Sequence, residues 1–134
     1  MLSLNDIRGY IAGLGIAEDN RVFIGKLDNK KEKSIGIYNR KGEGALTFPL
    51  GGRDYASYDT KRVSLLIHWS RNVLESEKAA WKLYEKLLQE SGSVLGDTEV
   101  RFLVMQVPEP VDVGTDENGV YEYVIWLDFI YQRK

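Results

Sequence analysis

A single histidine, His68, and the absence of cysteine restrict the chemistry this chain can carry. Without a second imidazole or a thiol, neither a His-rich metal site nor a cysteine nucleophile can be assembled, and a general base needs a positioned partner within reach. His68 falls on the polar side of an expected strand, beside Trp69, where it reads as structural or interfacial. The glycines Gly42, Gly44, Gly51 and Gly52 invite comparison with a phosphate loop. A P-loop requires Gly-x-x-x-x-Gly-Lys-Ser/Thr between a strand and a helix, so that backbone amides cradle the phosphate. In this chain Gly52 is followed by Arg53-Asp54 and then by a strand-like run, so the glycines read as a loop. The acids Glu109, Asp112, Asp116 and Glu117 fail as a calcium loop. Counted from Asp112, the sixth position is Glu117, where an EF-hand needs glycine. Asn118-Gly119 reads instead as turn chemistry before a strand. No cofactor and no metal are therefore expected, and the chain reads as a non-enzyme.

The chain has 134 residues, of which 43% are hydrophobic and 28% charged. That length suits one domain over residues 1–134, able to bury a core without staples. A net charge of −2 gives no broad electrostatic grip on phosphate backbones. No apolar run approaches the roughly 20 residues that span a bilayer, and Met1-Leu2-Ser3-Leu4-Asn5-Asp6 lacks the blocks of a signal peptide. A domain made in the cytoplasm, away from membranes, is the expectation.

Charge is unevenly placed. From Lys26 to Arg62 nine bases face five acids, a net +4, whereas Glu109 to Asp128 holds six acids and no base. Solvated loops collect charge for no reason beyond solubility, and that reading stays open. A second reading is that a positive surface on one copy meets a negative surface on the next. Such a heterologous contact builds a ring if its rotation closes. A third is nucleic acid running past the basic segment.

The elements that must position these residues follow from hydrophobic periodicity. Ser3, with Asp6 three residues on, predicts a capped helix to Gly13 with Leu4, Ile7, Tyr10 or Ile11, and Leu14 on one stripe. Residues 21–27 and 34–39 predict two strands, joined as a hairpin by the polar run 28–33. Arg40 to Lys61, 22 residues with Gly42, Gly44, Pro49, Gly51 and Gly52, predicts a long loop that becomes ordered in a complex. Residues 62–70 predict a strand with Val63, Leu65, Ile67 and Trp69 on one face. Asn72 or Ser76 caps a helix ending near residues 91–92, with Ala80, Leu83, Tyr84, Leu87 and Leu88 as its buried stripe. A strand over residues 100–107 stops at Pro108 and Pro110. The last strand, 120–132, has Tyr121, Tyr123, Ile125, Leu127, Phe129 and Tyr131 on one face and Trp126 and Asp128 on the other. With both faces largely apolar, it reads as a central strand or one reaching into a neighbouring subunit. The order α-β-β-β-α-β-β predicts a single α+β domain, its sheet mainly antiparallel or mixed and its helices packed on one face.

Three runs together resemble the phage minor capsid and tail-terminator family. They are Asp54-Tyr55-Ala56-Ser57-Tyr58-Asp59; Val63-Ser64-Leu65-Leu66-Ile67-His68-Trp69-Ser70 with Ala79-Ala80 to Leu87; and Pro108-Glu109-Pro110 through Gly114-Thr115-Asp116-Glu117-Asn118-Gly119-Val120-Tyr121-Glu122-Tyr123. The resemblance covers most of the chain in the same order. It implies a structural virion protein of a tailed phage or prophage, resembling a tail terminator that caps the head-proximal end of the tail tube and joins tail to head. Its implied partners are further copies of itself in a hexameric ring, monomeric before assembly, the tail tube protein and a head connector or stopper. The docking residues expected on this reading are Arg40, Lys41, Phe48, Arg53, Tyr55, Lys61 and Arg62 on the basic side. Glu109, Asp112, Asp116 and Glu117 form the acidic side. Two other readings stand beside it. One is a small-molecule-binding or enzymatic domain with Tyr121, Tyr123 and Trp126 lining a cavity. The other is a connector that contacts DNA through Arg40, Lys41, Arg53, Lys61 and Arg62.

Overall fold

Local capping chemistry starts both helices. In the computed structural model, which describes residues 2–25, 31–40, 58–90 and 92–132, α1 (Leu4–Gly13) opens with Ser3. Ser3 Oγ accepts from the Asp6 amide at 3.1 Å and Asp6 Oδ2 accepts from the Ser3 amide at 3.3 Å, a reciprocal capping box. α2 (Val73–Leu88) opens with Asn72, whose side chain accepts from the Glu75 amide at 3.0 Å.

The strands are β1 (Val22–Ile24), β2 (Ser34–Asn39), β3 (Tyr58–His68), β4 (Ser93–Leu95), β5 (Thr98–Met105), β6 (Val111–Thr115) and β7 (Tyr121–Gln132). A 3₁₀ turn (Asp19–Arg21) leads into β1. Among the described residues these seven strands form one sheet in the order β1-β2-β3-β7-β5-β4, with β6 also on β7. All pairs are antiparallel except β1 with β2. The sheet is therefore mixed and mostly antiparallel, and the chain is an α+β fold.

Alternation along the strands decides which face is buried. Val63, Leu65 and Ile67 of β3 stand opposite Leu127, Ile125 and Tyr123 of β7, and Ile37 and Ile35 of β2 extend the row. All of these are buried, and Ile7 and Ile11 of α1 pack with Ala80, Leu83 and Leu87 of α2 into the same cluster. Tyr10 meets Phe129 edge-on at 6.1 Å between centroids. Both helices therefore cover one face, as expected, and among the described residues the other face carries no helix.

Several expectations need correction. The hairpin does not form, because β1 runs parallel to β2, with Val22 opposite Ile35 and Ile24 opposite Ile37. Strand composition does not encode direction, so residues 21–27 and 34–39 read alike for a parallel and an antiparallel pair. β3 begins at Tyr58, so residues 58–61 belong to a strand and not to the expected loop. They do so because β7 is long enough to pair with them, Tyr58 standing opposite Gln132. Two strands were not expected, β4 and β6. β5 and β6 lie in succession along the same edge of β7, which makes them two halves of one strand. The interruption falls at Pro108 and Pro110, which cannot donate to a ladder. Leu88, placed on the buried stripe of α2, is 58% exposed because that stripe ends at Leu87. β7 is a central strand, with β3 on one side and β5 and β6 on the other.

Candidate functional site

Among the described residues, the sheet face opposite the helices, called the helix-free face, carries a cluster of charged and aromatic side chains. Strand parity sends Arg62 of β3, Trp126 and Asp128 of β7, and Val104 of β5 to that face, with Arg62 and Val104 both opposite Asp128. Arg40 follows directly after β2, and its amide donates to the Arg62 carbonyl at 3.1 Å, which continues the ladder by one bond. Gln106 continues β5 in the same way, donating to the Trp126 carbonyl at 2.8 Å. These residues line a cleft of about 320 Å³ formed by Arg40, Arg62, Gln106, Trp126 and Asp128.

An ion pair organises the cleft. Arg40 Nη2 lies 2.7 Å from Asp128 Oδ1, with both side chains largely buried at 15% and 13% exposure. Arg40 Nη1 also donates to the Leu127 carbonyl at 3.2 Å, and its guanidinium carbon sits 5.9 Å from the centre of the Trp126 ring. Gln106 Nε2 donates to Asp128 Oδ2 at 3.0 Å. Both carboxylate oxygens of Asp128 are thus engaged. Arg62, its cross-strand neighbour, makes no side-chain hydrogen bond or ion pair among the described residues. The cleft therefore presents a half-buried guanidinium beside an indole that is 43% exposed.

The expected docking residues that the structure describes are spread over several places. Lys41, Phe48, Arg53 and Tyr55 lie outside the described residues. Arg40 is spent within the molecule on Asp128, so one base of the positive segment and one acid of the negative segment neutralise each other. Lys61 and Arg62 are consecutive in β3 and hence point to opposite faces, Lys61 opposite Phe129 and Arg62 opposite Asp128. Among the acids, Glu109, Asp112 and Glu117 are exposed. Asp112 Oδ1 accepts from the Gly114 amide at 2.8 Å. Asp116 turns inward, its Oδ1 accepting from the amides of Asn118 at 2.8 Å and Val120 at 3.0 Å.

Asp116 also explains why two of the sequence runs belong together. His68 is fully buried, with Nδ1 3.0 Å from Glu122 Oε2 and 3.8 Å from Asp116 Oδ2. Asp116 Oδ2 is itself buried with no hydrogen-bond partner among the described residues. One histidine thus joins the end of β3 to the turn before β7 and to β7 itself, which favours the structural reading of His68. Cross-strand pairing of His68 with Glu122 puts them in contact. Among the described residues no group of three or more His, Asp or Glu side chains is disposed to hold a metal ion.

Tyr121, Tyr123 and Trp126 cannot line one cavity as the small-molecule reading required. Tyr123 is buried under the helices, whereas Trp126 is exposed on the other face. Two buried phenols flank the acidic segment from the helix side. Burial, followed by the charge of Glu109, pushes Tyr84 up from its ordinary value, and its hydroxyl donates to the Val107 carbonyl at 2.6 Å. Burial, followed by Asp112, does the same for Tyr123.

Sequence reasoning missed Gln106 and the role of Asp128 as partner of Arg40. The alternation of the last strand already put Trp126 and Asp128 on one face. Nothing in the sequence brought Arg40 to them, because that depends on β3 lying between β2 and β7. Among the described residues no helix is long and apolar enough to cross a membrane. Residues 10–133 match the family described as bacteriophage tail terminator protein. No curated protein and no solved structure matches the chain.

Proposed function

The chain belongs to the bacteriophage tail terminator family, and from that premise we propose that it closes the head-proximal end of the tail tube as a ring of identical copies, hexameric in the virion, and offers that ring to the head connector. The observation that carries this reading is the family match over residues 10–133, nearly the whole described chain. On this reading the protein works by docking and performs no chemistry, as a component of the virion made in the host cytoplasm. The surface chemistry supports it. The helix-free face carries exposed Phe102, Val104 and Trp126 around a half-buried arginine, and the edge strand β6 is exposed along its whole length. Surfaces that mix exposed apolar side chains with unpaired charge are what association between subunits uses.

Electron microscopy of particles assembled without this protein tests the reading. Overlong tails without heads are the expected result. Normal-length tails beside filled, tailless heads would reduce its role to joining, and normal particles would overturn the proposal.

A further inference from the structure

We infer that the Arg62–Trp126 cleft receives the acidic edge segment Glu109–Val113 of a second copy of this chain, Glu109 pairing with Arg62 while Val111 and Val113 cover Trp126 and Val104. The inference rests on the ring reading above and names the contact that would build it.

Both halves of the contact are unsatisfied in the lone chain, and they match in kind. Arg62 is a half-buried guanidinium without a side-chain partner among the described residues, while Arg40 and Gln106 engage the two oxygens of Asp128. The cleft wall around it holds Arg40, Gln106 and Asp128 beside Trp126, and the same face carries further exposed apolar side chains, with Phe102 48%, Val104 37% and Trp126 43% exposed. On the other side, the residues from Glu109 to Asp128 contain six acids and no base. Glu109 is exposed and makes no hydrogen bond or ion pair among the described residues, while Val111 and Val113 are 41% and 52% exposed. A carboxylate two and four residues from exposed valines is the complement of a guanidinium set among exposed apolar side chains. β6 is exposed at every residue, and among the described residues β7 is its only strand partner, so its outer side is open to a neighbour. In the same molecule β6 is held on β7 beside the cleft and not over it, since Val111 stands opposite Val124. The occupant must then come from another copy.

Photo-cross-linking of the full chain in assembled particles tests the contact. Benzoylphenylalanine replaces Phe102, an exposed aromatic on the same sheet face as the cleft, and mixed isotope labelling of two chain populations separates adducts between copies from those within one. Adducts between copies that map to residues 109–113 are expected. Adducts to another protein, to DNA, to another part of this chain, or no adduct at all would overturn the inference. Arg62→Glu and Glu109→Arg should each lower the yield at least tenfold, and the double reversal should bring it back to within threefold of the parent. Failure of the reversal to rescue would also overturn it, provided thermal unfolding shows each variant folded. The two readings fail separately. Particles lacking the protein that show overlong headless tails, together with adducts mapping elsewhere, would leave the tail-end role intact and remove only this contact.

Discussion

Replacing Asp128 with asparagine removes the charge that holds Arg40 while keeping the shape of the side chain. In the native protein the Arg40–Asp128 contact is 2.7 Å long and both side chains are about seven-eighths shielded from solvent. Breaking a fully buried ion pair from one side costs roughly 3–5 kcal/mol, because the remaining charge is stranded. Arg40 retains the Leu127 carbonyl at 3.2 Å and some contact with water, which places the expected loss lower, at about 2–3 kcal/mol. At this chain length each kcal/mol moves the melting temperature by roughly 3–4 °C, so a fall of about 6–12 °C is expected. Urea unfolding followed by tryptophan fluorescence gives the free energy. Asp128→Asn in an Arg40→Met background should cost at least about 1 kcal/mol less than in the native chain, the difference being the coupling between the two. A loss below about 0.5 kcal/mol with no coupling would mean that the pair behaves as an exposed salt bridge, and would refute the reasoning from burial.

Two further perturbations test other parts of the structure. Gly96 has φ +63°, and a Cβ there would lie 2.5 Å from Asp6 Oδ1, the carboxylate that caps α1. Gly96→Ala should therefore combine about 1 kcal/mol of left-handed strain with loss of part of the capping box, for a total near 2 kcal/mol in chemical denaturation. Burial, followed by Glu90, holds the Tyr10 phenol well above its ordinary value of 10.0, and its hydroxyl donates to Glu90 Oε2 at 3.2 Å. Above pH 10 the unfolded chain releases that proton while the folded chain keeps it, so stability falls as pH rises, by up to about 1.4 kcal/mol per pH unit. Tyr10→Phe should flatten this alkaline fall in a pH series of urea transitions, and an unchanged slope would refute the assignment.

Much of the site was legible because strand parity is a local property. Alternation along residues 120–132 separates Tyr123 from Trp126 without any knowledge of neighbours, and the same rule puts Lys61 and Arg62 on opposite faces. Parity also shows that Tyr121, Tyr123 and Trp126 cannot share one pocket. The helix caps at Ser3 and Asn72 were legible for a similar reason, since a capping side chain bonds an amide only two or three residues away. β6 was not legible. Val111-Asp112-Val113-Gly114-Thr115 is short, exposed and acidic, and it is a strand only because the unused edge of β7 pairs with it. The parallel course of β1 was hidden as well, because the hydrogen-bonding groups of a strand are the same in either direction.

By itself the amino-acid sequence determined the classes of chemistry open to the chain, the faces of its strands, the starts of its helices and the family it belongs to. Each of these follows from residue type and spacing over a few positions, or from an ordered set of such positions. The tertiary structure alone decided which charges remain for a partner. Arg40 and Asp128 are far apart in the chain and neutralise each other because β3 brings β2 and β7 to its two sides. Among the described residues Arg62 is left without a side-chain partner, while Arg40 and Gln106 engage the two oxygens of the carboxylate opposite it. Charge counted along a chain becomes charge offered to a neighbour only after pairing across the sheet has been subtracted. That subtraction depends on contacts between residues distant in sequence, which no local pattern records.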